Sequence, residues 1–410
     1  MRETNWGGNH TYRASEVTAP TSIEDVSAIV RSSDQVAVIA TRHSFNAIGD
    51  AATIVDLSAI DEPIAVDDDS GTVSVSPAIT YAQLSCELAA HGRALHNLAS
   101  LPHISVGGAI ATGTHGSGSQ LGNLATAVRS VDLLLATGDV STFDQSDPDF
   151  DGVVVGLGAL GLVTRVVLQT EPDYDVTQTV YDGLDWQTLT DEFDAVLAAA
   201  NSVSVFTRWG DAVGEMWCKQ RDDDPTPDSF DLGSLSPAEG PRHPIPGAAA
   251  EACTEQLGRS GPWWERLPHF RADSTPSSGD EIQAEFFVDR ADSVRAIAAM
   301  RSIGGRLDDV LLVSEIRTVA ADRLWMSPHH GRASTGFHFT FRMDPDAVQT
   351  AVDAIADAVH ECAPRFHPSK ALPTGWRIES PHLGDFLELK HRLDPTGRFT
   401  TDWFRTHISA

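Results

Sequence analysis

The chain has 410 residues, four cysteines and a formal net charge of −29 at pH 7. This length predicts two domains. So acidic a surface repels the phosphates of nucleic acids and of anionic lipids, and we expect neither as a partner. The cysteines are scattered and form no Cys-x-x-Cys pair, which is typical of a reducing compartment and argues against a zinc ribbon or a disulfide scaffold.

No apolar run resembles a secretion signal or reaches the length of a membrane span. We therefore expect a cytoplasmic protein without a membrane partner. The possible metal ligands at 329–330 and 360–362 form no complete ligand set, so no metal site is expected.

Short helices and strands are predicted over the first 170 residues. A capping-box pattern from Thr21 to Glu24 opens a helix, and strand patterns follow at 36–40, 53–57 and 72–76. A second capping box, from Thr80 to Gln83, opens a helix that ends at Gly92. Further strand patterns cover 128–135, 140–143 and 153–168.

The stretch 98–118 contains five glycines and almost no charge. Its glycine content predicts a loop rather than a helix. Exposed main-chain N–H groups in such a loop form a concavity that suits phosphate oxygens. A surface loop without a ligand is the alternative interpretation.

The segment 174–365 is predicted to form a second domain, with a meandering sheet and helices on one face. It begins with an amphipathic helix over 186–197. The predicted strands are 202–209, 213–217, 282–288, 310–317 and 336–342, and the predicted helices are 292–303 and 345–361. The insertion 221–278, rich in Pro, Gly and Asp, receives no predicted structure except an anchor at Trp263 and Trp264. Residues 389–404 are apolar enough to pack back on a core.

The Gly-x-Gly-x-x-Gly sequence at 156–161 does not predict a dinucleotide-binding fold. That motif needs a helix to begin within it and an acidic residue about twenty positions later. Here 162–168 is strand-like, and Asp182 lies in a loop. The loop 116–120 also lacks the lysine of a phosphate-binding P-loop.

Strand alternation places several polar side chains on common faces. Glu315 and Arg317 lie two apart and share one face, as do His338 and Thr340, whereas Phe337, Phe339 and Phe341 point the other way. Gln283 projects with Glu285 and Phe287. The polar faces either line a site or are exposed to solvent.

Five sequence motifs in order carry a resemblance to a known family. They are Arg-His-Ser-Phe-Asn at 42–46, the run 100–108, the run 111–118, the run 158–164, and Asp-Pro-Thr-Gly-Arg-Phe at 394–399. Together they resemble the FAD-linked oxidases of the vanillyl-alcohol-oxidase type. Within that superfamily the opening Asn-Trp-Gly-Gly-Asn at 5–9 and the Ser-Leu-Pro-His-Ile-Ser segment are most similar to the alditol (xylitol) oxidase branch, with the sugar-lactone oxidases as near relatives.

The resemblance implies an α+β fold with a PCMH-type FAD-binding domain at 1–173, a substrate-binding cap at 174–365 and a C-terminal segment, 366–410, that returns to the FAD domain. It implies covalent FAD, linked from the flavin 8α-methyl to His43. No cysteine lies between 87 and 217, so a single attachment is expected. The pyrophosphate would lie on amides of 40–44 and of the loop 113–118. The cofactor-binding residues so implied are Ala40, Thr41, Arg42, His43, Ser44, Ser105, Ile110, Gly113, His115, Ser117, Gly118, Val163, His367 and Lys370.

The polar faces match the substrate positions of the alditol oxidases. Substrate-binding roles are implied for Ser105, Gln283, Glu315, Arg317, Thr340 and Lys370, and catalytic roles for Arg317, Lys370, Glu315 and His338. The residues between His367 and Lys370 depart from the family's His-Trp-Gly/Ala-Lys pattern.

The implied reaction oxidises the terminal hydroxyl of a polyol such as xylitol or sorbitol to the aldose, by hydride transfer to flavin N5, with O2 reduced to hydrogen peroxide. Arg317 and Lys370 would hold the reacting hydroxyl, Glu315 would orient them, and His338 with Thr340 would hold the next hydroxyls. A monomer or small oligomer is expected. The alternatives are a sugar-1,4-lactone oxidase or dehydrogenase of the same fold, a dehydrogenase with another electron acceptor, and a non-enzymatic flavin- or sugar-binding protein.

Overall fold

The computed structural model describes residues 3–14, 17–60, 62–225, 230–274 and 280–408. Residues 226–229 and 275–279, which belong to the insertion without predicted structure, therefore lie outside the described residues. Within those ranges no helix is both long and apolar enough to cross a bilayer.

The secondary structure alternates short strands and helices along the whole chain. The strands are β1 Val17–Thr18, β2 Val36–Ile39, β3 Thr53–Asp56, β4 Ala65–Asp67, β5 Thr72–Val75, β6 Arg93–Ala94, β7 Val128–Leu134, β8 Val140–Asp144, β9 Leu162–Gln169, β10 Glu171–Pro172, β11 Asp175–Asp182, β12 Ser202–Thr207, β13 Met216–Arg221, β14 Ser236–Pro237, β15 Arg259–Pro262, β16 Glu281–Asp289, β17 Leu311–Val319, β18 Ser334–Arg342 and β19 Arg365–Phe366. The helices are α1 Ile23–Ser32, α2 Tyr81–Ala90, α3 Val106–Ala111, α4 Phe150–Val153, α5 Trp186–Asp191, α6 Phe193–Leu197, α7 Trp263–Arg266, α8 Ser293–Ile303, α9 Pro345–Val359, α10 Leu383–Leu393 and α11 Asp402–His407.

The first part of the chain forms a small parallel sheet, in the order β1-β3-β2, and an antiparallel sheet, in the order β4-β5-β9-β7-β8. The capping box of α2 is present as predicted, with Thr80 and Gln83 satisfying each other's backbone N–H groups. The cap of α1 is Ser22 rather than Thr21, and its side chain accepts from the N–H of Asp25.

Two predictions in this part were wrong. The strand predicted over 153–168 begins only at Leu162, because Val153 ends α4 and 154–161 form turns and irregular structure. The glycine-rich stretch contains the helix α3, because Gly107 lets the chain approach Pro77 closely: a Cβ at Gly107 would lie 2.5 Å from the Cβ of Pro77. The interpretation of 156–161 is confirmed, since a strand and not a helix follows it.

A large antiparallel sheet dominates the second part, in the order β14-β11-β13-β12-β17-β18-β16-β19, with β15 paired to β11. The prediction missed β11. It also placed β13 too early, and it merged α5 and α6, which are interrupted at Glu192.

One face of this sheet is apolar and packed. Phe337, Phe339 and Phe341 on β18 are fully buried, and the ring of Phe286 stacks on Phe337 at 4.8 Å. Helices α8 and α9 pack on each other and on β16. Because strand side chains alternate, the polar residues between these phenylalanines point to the opposite face.

The C-terminal residues pack on the first part of the chain, as their apolar character predicts. The N–H of Val36 in β2 donates to the carbonyl of Arg398. Phe399 is buried in one cluster with Val26 and Val30 of α1. Residues 394–399 therefore hold the beginning and the end of the chain together.

Candidate active site

A cavity of about 320 Å³ lies where the turn after β2, the glycine-rich stretch and the polar face of the large sheet meet. Most of the site residues implied by the resemblance lie on its wall, and the large sheet carries the polar ones. The residues concerned are Ala40, Thr41, Arg42, His43, Ser44, Ser105, His115, Val163, Gln283, Glu315, Arg317, His338, Thr340, His367 and Lys370.

Four of the implied cofactor residues are not brought to this wall: Ile110, Gly113, Ser117 and Gly118. The N–H of Gly113 donates to the carbonyl of Ile110 at the end of α3, and that of Gly118 donates to Thr318. These two amides therefore have protein partners in this structure, and a phosphate-binding role for 113–118 stays a prediction. The residues of the glycine-rich stretch that line the cavity lie between Ala99 and His115.

The glycine cluster at 156–161 also lines the cavity, together with Val163 at the start of β9. The sequence excluded it as a dinucleotide motif, while the overlapping run 158–164 was one of the motifs that carry the family resemblance. Its glycines bring main chain close to the cavity without the helix that the motif requires.

The turn that carries His43 is held by the opening residues of the chain. The side-chain amide of Asn5 donates to the carbonyl of Ser44 at 2.7 Å, and that of Asn9 donates to the carbonyl of Phe45 at 2.9 Å. The indole of Trp6 stacks on the His43 imidazole at 4.9 Å. The Asn-Trp-Gly-Gly-Asn opening therefore fixes the orientation of His43.

The same turn is held from the other side by the C-terminal segment. The side-chain amide of Asn46 donates to the carbonyls of Pro368, at 2.8 Å, and Lys370, at 2.7 Å. The N–H of Phe45 donates to the carbonyl of Ser369. The Arg-His-Ser-Phe-Asn motif thus also places Lys370 next to the cavity.

The surroundings of His43 fit a flavin. Among the described residues neither ring nitrogen of His43 has a hydrogen-bond partner, although both are buried. Burial and the nearby charge of Lys370 lower the pKa of His43 to about 4, so the imidazole is neutral at pH 7. The N–H groups of residues 42–44 also lack partners within the described part of the chain. A neutral histidine and free amides are what covalent attachment and phosphate binding require.

The polar face of the large sheet presents its side chains in register. Gln283 pairs with Thr340, His338 lies between Glu285 and Glu315 on the neighbouring strands, and Arg317 pairs with Gly336. All of these side chains line the cavity. The predicted strand alternation is confirmed, and the polar face is enclosed rather than solvent-exposed.

Arg317 is the centre of a buried charge network. Its Nη2 donates to Oε1 of Glu285 at 2.7 Å, its Nη1 donates to the hydroxyl of Ser100 at 3.2 Å, and its Nε lies 3.5 Å from Oε2 of Glu315. Burial by itself would lower the pKa of Arg317, but the two carboxylates raise it above its ordinary value. The guanidinium is therefore a permanent positive charge inside the site.

Glu285 is a site residue that the sequence analysis did not select, although it shares a face with Gln283. Its carboxylate is 2% exposed, and Oε1 lies 3.2 Å from Nε2 of His115. Burial would raise the pKa of Glu285, but His115 and Arg317 outweigh it and hold the pKa well below its ordinary value. Strand alternation could have identified it.

His269 is a second missed residue, and it comes from the insertion without predicted structure. Its Nε2 donates to Oε1 of Glu315 at 2.8 Å, and its Nδ1 lies 3.0 Å from Nζ of Lys219. Burial lowers the pKa of His269 to about 4 and that of Lys219 to about 7. No hydrophobic period in the insertion predicts this placement.

Lys370, Gln283 and His338 form a second polar group beside this network, with His338 paired in register to both Glu285 and Glu315. Nζ of Lys370 donates to Oε1 of Gln283, which also lies 3.2 Å from Nε2 of His338. Burial lowers the pKa of Lys370 to about 8 and the pKa of His338 to about 3. At pH 7 His338 is therefore neutral, whereas Lys370 can exchange its proton near the working range of an enzyme.

The similarity of this chain to known proteins identifies its family. Residues 14–144 match the FAD binding domain family. The chain is 42% identical over 410 aligned residues to the alditol oxidase of Streptomyces sp. (strain IKD472 / FERM P-14339), which covers 98% of each chain. It is 24% identical to the L-gulono-1,4-lactone dehydrogenase of Mycobacterium tuberculosis (strain ATCC 25618 / H37Rv), over 98% of this chain and 97% of that one.

Among solved structures the fold is similar to that of cholesterol oxidase from B. sterolicum, with a TM-score of 0.78. The sequences are 13% identical, and the match covers 100% of this chain and 96% of the other. At this identity the likeness shows the fold alone. It agrees with the two-part α+β architecture described above.

Proposed function

Because the chain belongs to the alditol oxidase family of FAD-linked oxidases, we propose that its cavity oxidises a hydroxyl-bearing carbon of an alditol, with FAD as cofactor and O2 as acceptor. The observation that carries this proposal is the buried Arg317, flanked by two carboxylates, on the wall of the same cavity that His43 lines. A carbinol gives up a hydride most easily when its oxygen loses its proton, and a fixed guanidinium stabilises that oxygen.

Bound FAD supplies the hydride acceptor and returns the electrons to O2 as hydrogen peroxide. The chain's own residues bind the substrate, orient it and manage the hydroxyl proton. Arg317 holds the reacting hydroxyl and stabilises the negative charge that develops on its oxygen, while Glu285 and Glu315 hold the guanidinium in place.

Lys370 is the candidate for receiving the hydroxyl proton. Its pKa of about 8 makes a neutral amine accessible near neutral pH, which an ordinary lysine cannot offer. Gln283, His338 and Thr340 present donors and acceptors along neighbouring strands, where the further hydroxyls of a linear polyol can pair with them. Ser105, 4% exposed, lines the cavity on the opposite side, from the glycine-rich stretch.

We propose in addition that FAD is attached covalently through His43. This is supported by the unpartnered ring nitrogens and the lowered pKa of that histidine. The proposed FAD domain comprises 1–173 together with 366–410, and 174–365 forms the cap; the contacts of residues 398–399 with α1 and β2 support that division. We further propose that the protein binds neither nucleic acid nor anionic membranes, on the basis of its charge of −29. We propose a cytoplasmic location on the basis of its four scattered cysteines, and we expect a monomer or small oligomer.

The experiment is anaerobic reduction of the purified yellow protein by a panel of substrates. Xylitol and sorbitol are expected to bleach the flavin absorbance, and glycerol is expected to do so with a much lower kcat/KM because it leaves part of the polar face unpaired. Readmission of air should restore the colour and produce hydrogen peroxide. Faster bleaching by gulono- or galactono-1,4-lactone than by any alditol would instead make the chain a lactone-oxidising member of the fold.

A further inference from the structure

Next to Glu315 lies a buried Lys219–His269 pair that the proposed reaction does not use; His269 lines the cavity and Lys219 does not. Lys219 on β13 is 1% exposed and His269 is 4% exposed. A buried lysine is costly unless its hydrogen-bonding capacity is filled. The groups that accept hydrogen bonds from Lys219 therefore indicate the role of the pair.

All three N–H bonds of the Lys219 ammonium have acceptors. They are the carbonyls of Leu267 and Pro268 and the Nδ1 of His269. The ionised carboxylate of Glu315 can only accept, so Nε2 of His269 must carry the proton as an N–H, and Nδ1 then carries the lone pair that accepts from Lys219. That N–H points at Oε1 of Glu315, 2.8 Å away.

The ring of His269 is also fixed mechanically. The indole of Trp217 and the ring of Phe206 meet it edge-on, at 5.2 Å and 5.5 Å. Its backbone N–H donates to the carbonyl of Ser100, and the hydroxyl of the same serine accepts from Arg317. The imidazole is therefore held in tautomer, in position and in relation to the guanidinium.

The remaining oxygen of Glu315, Oε2, is the one nearest to Arg317, at 3.5 Å. A carboxylate with one oxygen held by His269 has little freedom to rotate, so its second oxygen stays directed at the guanidinium. The negative charge of Glu315 is retained as well, because Arg317 and His269 together lower the pKa of its carboxyl although burial opposes them.

We propose that His269, held by Lys219 in the tautomer with its proton on Nε2, is a positioning residue for Glu315 and thereby aligns Arg317 with the substrate hydroxyl. This inference rests on the proposed function, since the aligned guanidinium acts on the alditol. It gives the insertion 221–278 a part in catalysis without direct contact with the reacting atoms.

Two variants of nearly equal polarity separate positioning from general structural support. The amide nitrogen of Gln reaches the position of the histidine Nε2, so His269→Gln keeps the donor to Glu315. Asn ends near the position of Nδ1, so His269→Asn keeps an acceptor for Lys219 but loses that donor. His391→Asn, on the exposed side of α10, is the control.

Each protein is first checked for bound flavin and for its thermal midpoint. Substrate affinity comes from the flavin difference spectrum on xylitol titration, and the rate comes from anaerobic stopped-flow reduction. His269→Asn is expected to lower the reduction rate by at least about tenfold with little change in affinity, and His269→Gln is expected to recover most of that loss. In a Glu315→Gln background the His269→Asn exchange should add less than about twofold, because the two residues act as one unit.

Equal losses in the Gln and Asn variants, a change confined to affinity, or an undiminished effect in the Glu315→Gln background would each overturn the proposal. A wild type that no alditol reduces would refute the proposed function instead. The same variants would then be run with gulono-1,4-lactone and judged by the same criteria.

Discussion

Replacing Arg317 by methionine removes the one guanidinium between two buried carboxylates. Glu285 and Glu315 are 2% and 5% exposed, and both face Arg317. Removing one partner of a buried ion pair leaves an uncompensated charge and costs about 3–5 kcal/mol of stability. We therefore expect Arg317→Met to fold with a clearly lower thermal midpoint at neutral pH.

The loss of stability should depend on pH in a defined direction. In the wild type both carboxyl pKa values are lowered, so their stabilisation is present above the unfolded pKa of about 4.3 and is lost only as the pH falls through the folded values. Without Arg317 burial dominates and raises the pKa of at least one carboxyl, so that ionising it at higher pH destabilises the fold. The difference in thermal midpoint should be large at pH 8 and small at pH 5.

The reaction should suffer more than substrate binding. Loss of one preorganised donor to a developing negative charge costs about 10²–10³ in rate, so anaerobic flavin reduction should slow by that order while the flavin content stays normal. Arg342→Met, at an exposed arginine that ends the neighbouring strand β18, is the matched control and should change neither quantity appreciably. A midpoint difference that is equal at pH 5 and pH 8, or a change in KM alone, would refute the reasoning.

Three further outcomes are expected. Acid-precipitated wild type should stay yellow and His43→Ala should yield a colourless pellet, because the covalent bond needs that imidazole; a colourless wild-type pellet would contradict the linkage. The flavin-reduction rate of the wild type should rise with pH through a pKa of about 8, as Lys370 loses its proton, and Lys370→Met should flatten that rise. A rate that falls over this range would mean that the ammonium form of Lys370, and not the neutral amine, is the active one. Gly107→Ala should lower the thermal midpoint and reduce the free energy of unfolding by about 1–3 kcal/mol, because the new Cβ would lie 2.5 Å from the Cβ of Pro77. Gly384→Ala, with open space around it, is the control and should be neutral or slightly stabilising.

Strand alternation predicted the polar face of the site well. His338 and Thr340 alternate along β18 with phenylalanines whose rings are fully buried on the other face of the sheet. A shift of the strand by one residue would bury these polar side chains on the apolar face, so the register is strongly specified. The same alternation places Glu285 on the polar face, two residues from Gln283 on β16. It was not selected because a pattern gives the face of a residue and not its partners.

The glycine-rich stretch shows where propensity fails. Glycines in a helix lose more conformational freedom than alanines, and on that ground no helix was predicted at 106–111. In the fold, close packing of Gly107 on Pro77 offsets this cost. Local preference therefore predicted the wrong structure, because it takes no account of contacts outside the segment, such as that of Gly107 with Pro77.

The placement of His269 could not be predicted for a different reason. It depends on hydrogen bonds to Lys219 and Glu315, which lie 50 and 46 residues away on separate strands. The insertion has neither the period of a helix nor that of a strand, so nothing local indicates which of its residues turn inward.

The hold of Asn46 on the carbonyls of Pro368 and Lys370 spans 322 and 324 residues of chain. During synthesis at about 5–20 residues per second, the histidine turn waits roughly 15–65 seconds for these partners. Until then the turn that carries His43 is held by its contacts with residues 5–9. The part of the cavity wall that His367, Ser369 and Lys370 form is still missing. Because synthesis proceeds from the N-terminus, the last 45 residues are the ones that complete the proposed cofactor-binding site. A chain that ends before residue 366 would lack the partners of Asn46 and of the Phe45 N–H, so we expect it to hold this turn less firmly.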